Sequence, residues 1–480
     1  MLFNSLTFAL FLPVVLAGAA ALLPGWRWLW LLAASLVFYG WGQPGNLVFL
    51  GGATVWAYLF GLALGHSRSA HVRGWLLASA LMGLIGSLAA FKFHDFIRAE
   101  LPEHWVSAWP TLGIAAPAGY SFYTFAAAAY LIDVYRRVLQ AERNAGQFGL
   151  FMAWFPKVLV GPIARAKPFL DQTRNALRAD PAKMVGALQL VFWGLFKKVV
   201  IADNLAPVVD NAFAIAPYAA PLELLIAVYF FAFQIYCDFS GIADMAIGIS
   251  RLFGIELPVN FRRPYLSRSV SEFWSQRWHI TLGRWFRDYL YIPLGGSRAG
   301  VGRTYINVMV VFLISGLWHA GLGYGLGWSF LIWGLLNGLY QWGQMGLSTL
   351  AAKLAGPRLV PNWVSDLFSM LLTFHLILVS WVFFRATSVG EAVLVLQRIA
   401  VAIPDLPSVI RHYPFSGDHV LGVTLIAILM GVETLDEKRP LAHRLIAWPR
   451  PWRWGLYYCV LGAIVVVGSW QGARFIYMQF

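Results

Sequence analysis

Apolar runs long enough to cross a bilayer recur along the whole of this 480-residue chain. A spanning helix needs roughly 20 apolar residues. Inside lipid the backbone can satisfy its own hydrogen bonds only as a helix or a closed barrel. Candidate spans run near 5–23, 27–42, 46–65, 75–93, 112–134, 184–202, 220–237, 305–320, 324–345, 366–384, 419–435 and 455–472. Charged residues make up 12% of the chain, against about 25% in soluble domains, and 59% is hydrophobic. A large soluble enzyme is thereby excluded. The reading is an all-α polytopic membrane protein of about a dozen transmembrane helices, forming a single domain over 1–480 with no fixed-period repeat.

Local irregularities refine this picture. The stretch FMAWFPKVLVGPIAR at 151–165 is apolar but interrupted by Pro156 and Pro162, which predicts a re-entrant segment shielded by other helices. The N-terminus has the apolar core of a signal peptide without its basic leader, so it reads as an uncleaved first span. Cys237 and Cys459 lie in apolar runs and read as small core residues, with no disulfide or metal site expected. Asp238 and Asp244, six residues apart, are too isolated for a metal site. They suit helix-end hydrogen bonding or pairing with a buried arginine. Asp133 with Arg136 reads alike. The GLGYGLG run at 321–327 lacks the lysine and the strand–helix context of a nucleotide loop and reads as a tight turn.

The formal charge of +14 lies mostly in loops and reflects the positive-inside tendency; dispersed as it is, it argues against nucleic-acid binding. The short basic loop 436–454 is placed in the cytoplasm. Counting from it puts the C-terminus and the loop 385–418 outside and the segment 262–303 inside, despite Arg385, Arg398 and Arg411 in the external loop.

Two features carry chemistry. The apolar stretch YINVMVVFLISGLWHAGLGYGLGWSFLIWG contains one histidine, His319. An ionisable residue at membrane depth is functional by default and faces a protein-lined cavity. Upstream, the segment from Arg262 to Arg303 holds eight arginines and two acids, Glu272 and Asp288. Taken as one helix, 272–289 sets Trp274, Trp278, Trp285 and Tyr289 on one face and Arg277, Arg284 and Arg287 on another. Such a helix lies at the membrane interface. Its arginines either anchor to anionic lipid or grip the phosphates of an anionic cosubstrate.

Seven segments in order resemble the membrane-bound O-acyltransferase family, in its alginate O-acetyltransferase branch. They are SFYTFAAAAYLIDVYR, FPKVLVGPIAR, FQIYCDFSGIADMAIGISRLFGIELPVNF, FWSQRWHITLGRWFRDYLYIPLGG, SGLWHAG, TFHLILVSWVFFRA and the terminal FIYMQF. The resemblance implies a ring of helices around a central tunnel, with re-entrant and interfacial helices. It implies a cytoplasmic acyl donor, with acetyl-CoA expected, and an acceptor on the outer side. His319 takes the family's catalytic position, although Ala320 replaces the usual glycine after it. His279 matches a second histidine of the branch, with a positioning role as open as a chemical one. His375 matches a position that is histidine in some related proteins and reads as structural.

O-acylation needs a base to take the hydroxyl proton, and an imidazole of pKa about 6.5 suits neutral pH. Related teichoic-acid D-alanylation systems carry an aromatic C-terminal motif like Phe475–Phe480 on a small partner peptide, where the tyrosine is proposed to relay the acyl group. Tyr477 is therefore either a relay or an interfacial anchor.

The expected function is O-acetylation of a secreted or cell-wall polysaccharide, alginate-like first, at the bacterial inner membrane. The cofactor-binding residues expected are Arg277, Arg284 and Arg287, and the metal expectation is none. The partners expected are the acyl donor, the lipid bilayer and a periplasmic acetyltransferase. The alternatives are a transporter or flippase, or the same fold acylating peptidoglycan, lipid or protein.

Overall fold

The computed structural model describes residues 1–106, 117–174, 180–320, 327–353, 361–439, 441–470 and 475–476. These residues are helical with no strand among them, as the apolar run lengths require. Eight of the described helices are long and apolar enough to cross a membrane: Asn46–His66, Ala70–His94, Pro181–Ala214, Pro221–Leu252, Val301–His319, Asn362–Arg385, Val389–His412 and Gly417–Lys438. The expected first span is a shorter apolar helix, Leu6–Ala21. The last is the 17-residue helix Arg450–Val466. Cys237 is buried, whereas Cys459 on that last helix is exposed rather than a core residue.

Contacts divide the chain into two compact units, one built from 1–195 with 241–259, the other from 196–240 with 260–473. In the first, Phe8, Phe38, Trp154, Phe155 and Phe253 form a buried aromatic core. The segment 151–165 is broken, as its prolines predict. One helix ends at Ala153, a single turn spans Phe155–Val158, and no helix follows until Ala166. Trp154 Nε1 donates to Ser250 Oγ at 3.0 Å. Arg73, 6% exposed, donates to the carbonyl oxygens of Leu64, Val134 and Tyr135. A cation thus sits on the carbonyl ends of the helices Asn46–His66 and Tyr120–Tyr135, where helix dipoles favour positive charge.

In the second unit the helix Val301–His319 packs on Trp328–Lys353 at backbone distance. A Cβ on Gly316 would stand 2.5 Å from the Phe330 carbonyl oxygen, and one on Gly334 would stand 2.5 Å from that of Phe312. Only glycine fits both positions, which is how membrane helices gain close packing.

Three expectations are corrected here. The region 385–418 is not a loop: Ser388 caps a helix Val389–Ala402, and a 3-10 turn carrying Pro404 leads into Leu406–His412. It nevertheless starts and ends at one end of the unit. Arg385 pairs with Asp210 at 2.7 Å, Arg398 donates to the Ala219 carbonyl at 2.8 Å, and His419 reaches Glu223 at 3.4 Å. All three thus gather on 210–223.

The second correction concerns 272–289, which is not one helix. A π-helical turn Phe273–Arg277 stops at Trp278, His279 adopts a left-handed backbone (φ 43°), and a new helix runs Ile280–Phe286. The kink turns the tryptophans inward. Trp278 and Trp285 are buried, and the Trp278 and Trp274 rings lie 5.0 and 6.0 Å from that of Trp381.

The third is the run 220–237, which continues as a single helix to Leu252. Asp238 and Asp244 are therefore mid-helix, not at a helix end.

Candidate active site

His319 is the last residue of the helix Val301–His319 and is 5% exposed. Its ring meets those of Trp318 at 4.5 Å, Phe384 at 5.1 Å and Trp333 at 5.2 Å. The glycine pair beneath brings Phe330 and Trp333 close enough to form one wall, and the helix Asn362–Arg385 supplies Phe384. An imidazole held among aromatic rings is fixed in orientation and shielded from solvent, as a base that must meet one hydroxyl requires.

The structure brings the second histidine to the same aromatic cluster. His279 is 4% exposed, with its ring 4.7 Å from Phe239 and 6.5 Å from Trp318, so Trp318 stands in contact with both histidines. Burial pushes the His279 imidazole below its ordinary pKa, favouring the neutral form. Its turn is clasped from the side. Ile280 N donates to the Asn260 carbonyl at 2.9 Å and Arg262 N to that of Arg277 at 2.9 Å. Asn337 ties the arginine–tryptophan segment to the opposite helix, accepting from Trp274 Nε1 at 2.9 Å and donating to the Trp333 carbonyl at 2.8 Å.

The three arginines expected to act alike do not share a setting. Arg277 is engaged by Glu272 at 2.6 Å and Glu437 at 2.8 Å, and these carboxylates keep its guanidinium firmly charged. Arg263 pairs with Asp436 and Glu437 beside it. Arg287 is exposed and pairs with Asp288 at 2.9 Å, while Arg284 is exposed on the short helix Ile280–Phe286. These pairs place the end of the helix Gly417–Lys438 against 263–277.

Tyr477 lies outside the described residues, as do 321–326 of the glycine-rich turn. Among the described residues no group of three or more His, Cys, Asp or Glu could hold a metal ion. His375 is exposed, with Nε2 2.8 Å from the Tyr229 hydroxyl and Nδ1 2.7 Å from the Leu371 carbonyl.

Sequence reading missed a buried charge cluster. Lys198, 1% exposed, reaches Asp203 at 2.8 Å and Asp238 at 2.7 Å, so the partner of Asp238 is a lysine rather than an arginine. Lys197 Nζ donates to Ser240 Oγ at 2.9 Å and lies over the Tyr236 ring, whose hydroxyl bonds the buried Glu433. The two lysines lie in a π-helical stretch, Phe196–Ala202, of the kind that marks functional sites. Adjacent lysines inside the apolar run 184–202 were the available signal.

Comparison with known proteins identifies the family. The family model described as MBOAT, membrane-bound O-acyltransferase family, matches residues 111–384. A probable alginate O-acetylase of Azotobacter vinelandii is 37% identical over 401 residues, covering 82% of this chain and 76% of its own. A peptidoglycan O-acetyltransferase of Helicobacter pylori is 35% identical over 430 residues, covering 83% and 79%. A teichoic acid D-alanyltransferase of Bacillus subtilis is 24% identical over 293 residues, covering 59% and 71%. With both histidines, their aromatic surround and the arginine–tryptophan segment inside the matched region, the chain belongs to the membrane-bound O-acyltransferase family and is a multi-pass membrane O-acyltransferase.

Proposed function

We propose that the enzyme O-acetylates a secreted or cell-wall polysaccharide, drawing the acetyl group from a cytoplasmic thioester, acetyl-CoA, at the bacterial inner membrane. The observation that carries this is His319, a buried imidazole in an aromatic surround, in a chain whose relatives are named for alginate and peptidoglycan O-acetylation. His319 takes the proton of an acceptor hydroxyl as its oxygen attacks the thioester carbonyl. The tetrahedral oxyanion collapses, the C–S bond breaks, and the thiolate leaves and is protonated. His279, kept neutral by burial, lines the same aromatic cluster and positions the reactants.

Sidedness rests on the eight arginines between Arg262 and Arg303, which favour the cytoplasm. The Arg277–Glu437 and Arg263–Asp436 pairs support the same side for 436–454. They require an even number of crossings between the two segments, which fits a region 389–412 that does not cross. Of the three arginines, Arg284 and Arg287 suit the donor's phosphates, while Arg277 holds the fold of the segment. A periplasmic acetyltransferase completes the transfer to polymer, and Tyr477 relays the acyl group on the outer side.

The test is His319→Ala in membranes supplied with radioactive acetyl-CoA. Loss of label transfer with normal insertion is expected, and near-normal acetylation would remove His319 from the reaction. A wild-type protein that neither acquires nor passes on label would sink the acetyltransferase reading in favour of a transporter.

A further inference from the structure

The turn that presents His279 is held by a residue with a spare function. Asn260 is fully buried, and its Oδ1 accepts from Thr281 Oγ1 at 2.8 Å and from Thr281 N at 3.3 Å. Its backbone carbonyl accepts from Ile280 N at 2.9 Å. The side-chain amide cannot be turned over, because the Thr281 backbone N–H is a donor only and must face the oxygen. Nδ2 is therefore fixed as the end of the amide turned away from Thr281. It has no hydrogen-bond partner among the described residues.

A buried donor left unpaired is costly, and in a native protein it calls for a partner outside the chain, such as a water, an ion or a ligand, or for a role in strain or catalysis. This one belongs to a clasp whose other product is strain. His279 sits at φ 43°, a left-handed conformation that L-residues keep only where surroundings over-determine it. Three hydrogen bonds that Asn260 accepts from the two residues after His279 supply that constraint. The next residue, Phe261, places its ring 6.2 Å from the His279 ring.

We propose that Asn260 is a working residue of the acyl-transfer site: its oxygens lock the turn carrying His279, and its Nδ2 donates a hydrogen bond to the carbonyl oxygen of the bound acyl group. This rests on the acyl-transfer reading. When the acceptor hydroxyl adds, that carbonyl oxygen becomes an oxyanion, and a preorganised amide donor strengthens its bond as the charge develops. No proton or group moves to Asn260.

The test compares wild type, His319→Ala, Asn260→Asp, Thr281→Val and Thr281→Ser in reconstituted membranes with acetyl-CoA. Wild-type transfer that His319→Ala abolishes establishes the reaction, independently of Asn260. Asn260→Asp keeps the acceptor toward Thr281 and replaces the NH2 by an oxygen. It is expected to lose about 10²–10³ in kcat with KM nearly unchanged, the range for one oxyanion donor. Activity should partly return as pH falls, because a protonated carboxyl again donates. Full kcat in Asn260→Asp at neutral pH would overturn the donor role.

Should Asn260→Asp fail to fold, Thr281→Val and Thr281→Ser decide. The inference expects kcat to fall in the valine variant and recover in the serine variant, which restores the hydroxyl bond to Oδ1. Equal kcat in all three Thr281 forms would overturn it.

Discussion

Replacing Lys198 by methionine tests how the second unit is held together. The lysine Nζ is the shared partner of Asp203 and Asp238, whose side chains are 4% and 3% exposed. Methionine fills much the same volume but leaves two neighbouring carboxylates without their cation. Breaking a buried pair in this way costs about 3–5 kcal/mol, a large share of the 5–15 kcal/mol that typically separates folded from unfolded protein. At roughly 2–4 °C per kcal/mol for domains of 150–250 residues, the midpoint of heat inactivation in detergent should fall by roughly 6–20 °C. The cluster flanks Phe239, which contacts the His279 ring, so acyl transfer should fall with it. A triple variant, Lys198→Met with Asp203→Asn and Asp238→Asn, removes the charges together and should recover most of the loss, since replacing a whole buried ionic set is near neutral. A Lys198→Met protein that melts with the wild type would refute the reasoning, as would a triple variant less stable than the single one.

Four further outcomes are expected. Gly316→Val should separate the helices Val301–His319 and Trp328–Lys353, because its Cβ meets the Phe330 carbonyl at 2.5 Å; overpacking costs about 1–3 kcal/mol, read as a lower unfolding midpoint and reduced transfer. Arg284→Gln should raise KM for acetyl-CoA several-fold in steady-state kinetics, whereas Arg277→Gln, by stripping Glu272 and Glu437 of their partner, should lower thermal stability with little change in KM. Burial holds the His279 imidazole down to about 3, so below the unfolded value of about 6.5 the unfolded chain binds the extra proton; stability should therefore fall as pH drops from about 6.5 toward about 3, and His279→Gln should flatten that slope in pH-dependent melting. Tyr477→Phe should abolish transfer if the hydroxyl relays the acyl group, with mass spectrometry of protein given donor alone showing acetyl on Tyr477; unimpaired transfer would reduce the tail to an anchor.

The sequence by itself determined that this chain is a helical membrane protein, since lipid admits few backbone solutions and the apolar runs are long enough to span it. It also singled out His319, because one base in an apolar run stands out against its surroundings, and the ordered motifs pointed to the family. Tertiary structure decided what a linear pattern cannot encode. A helical wheel drawn through 272–289 put Arg277 with Arg284 and Arg287, but the left-handed residue at His279 breaks the periodicity, and Glu437, 160 positions away, takes Arg277 out of that set. The region 385–418, read from the sequence as a loop, is helical, and the contacts of Arg385, Arg398 and His419 with 210–223 bring its two ends together. The lysine pair in the apolar run 184–202 signalled a buried charge but not its partners, and Asn260 carried no local sign of its role, because a buried cation and a fixed amide are defined by partners that only the folded chain brings within hydrogen-bond reach.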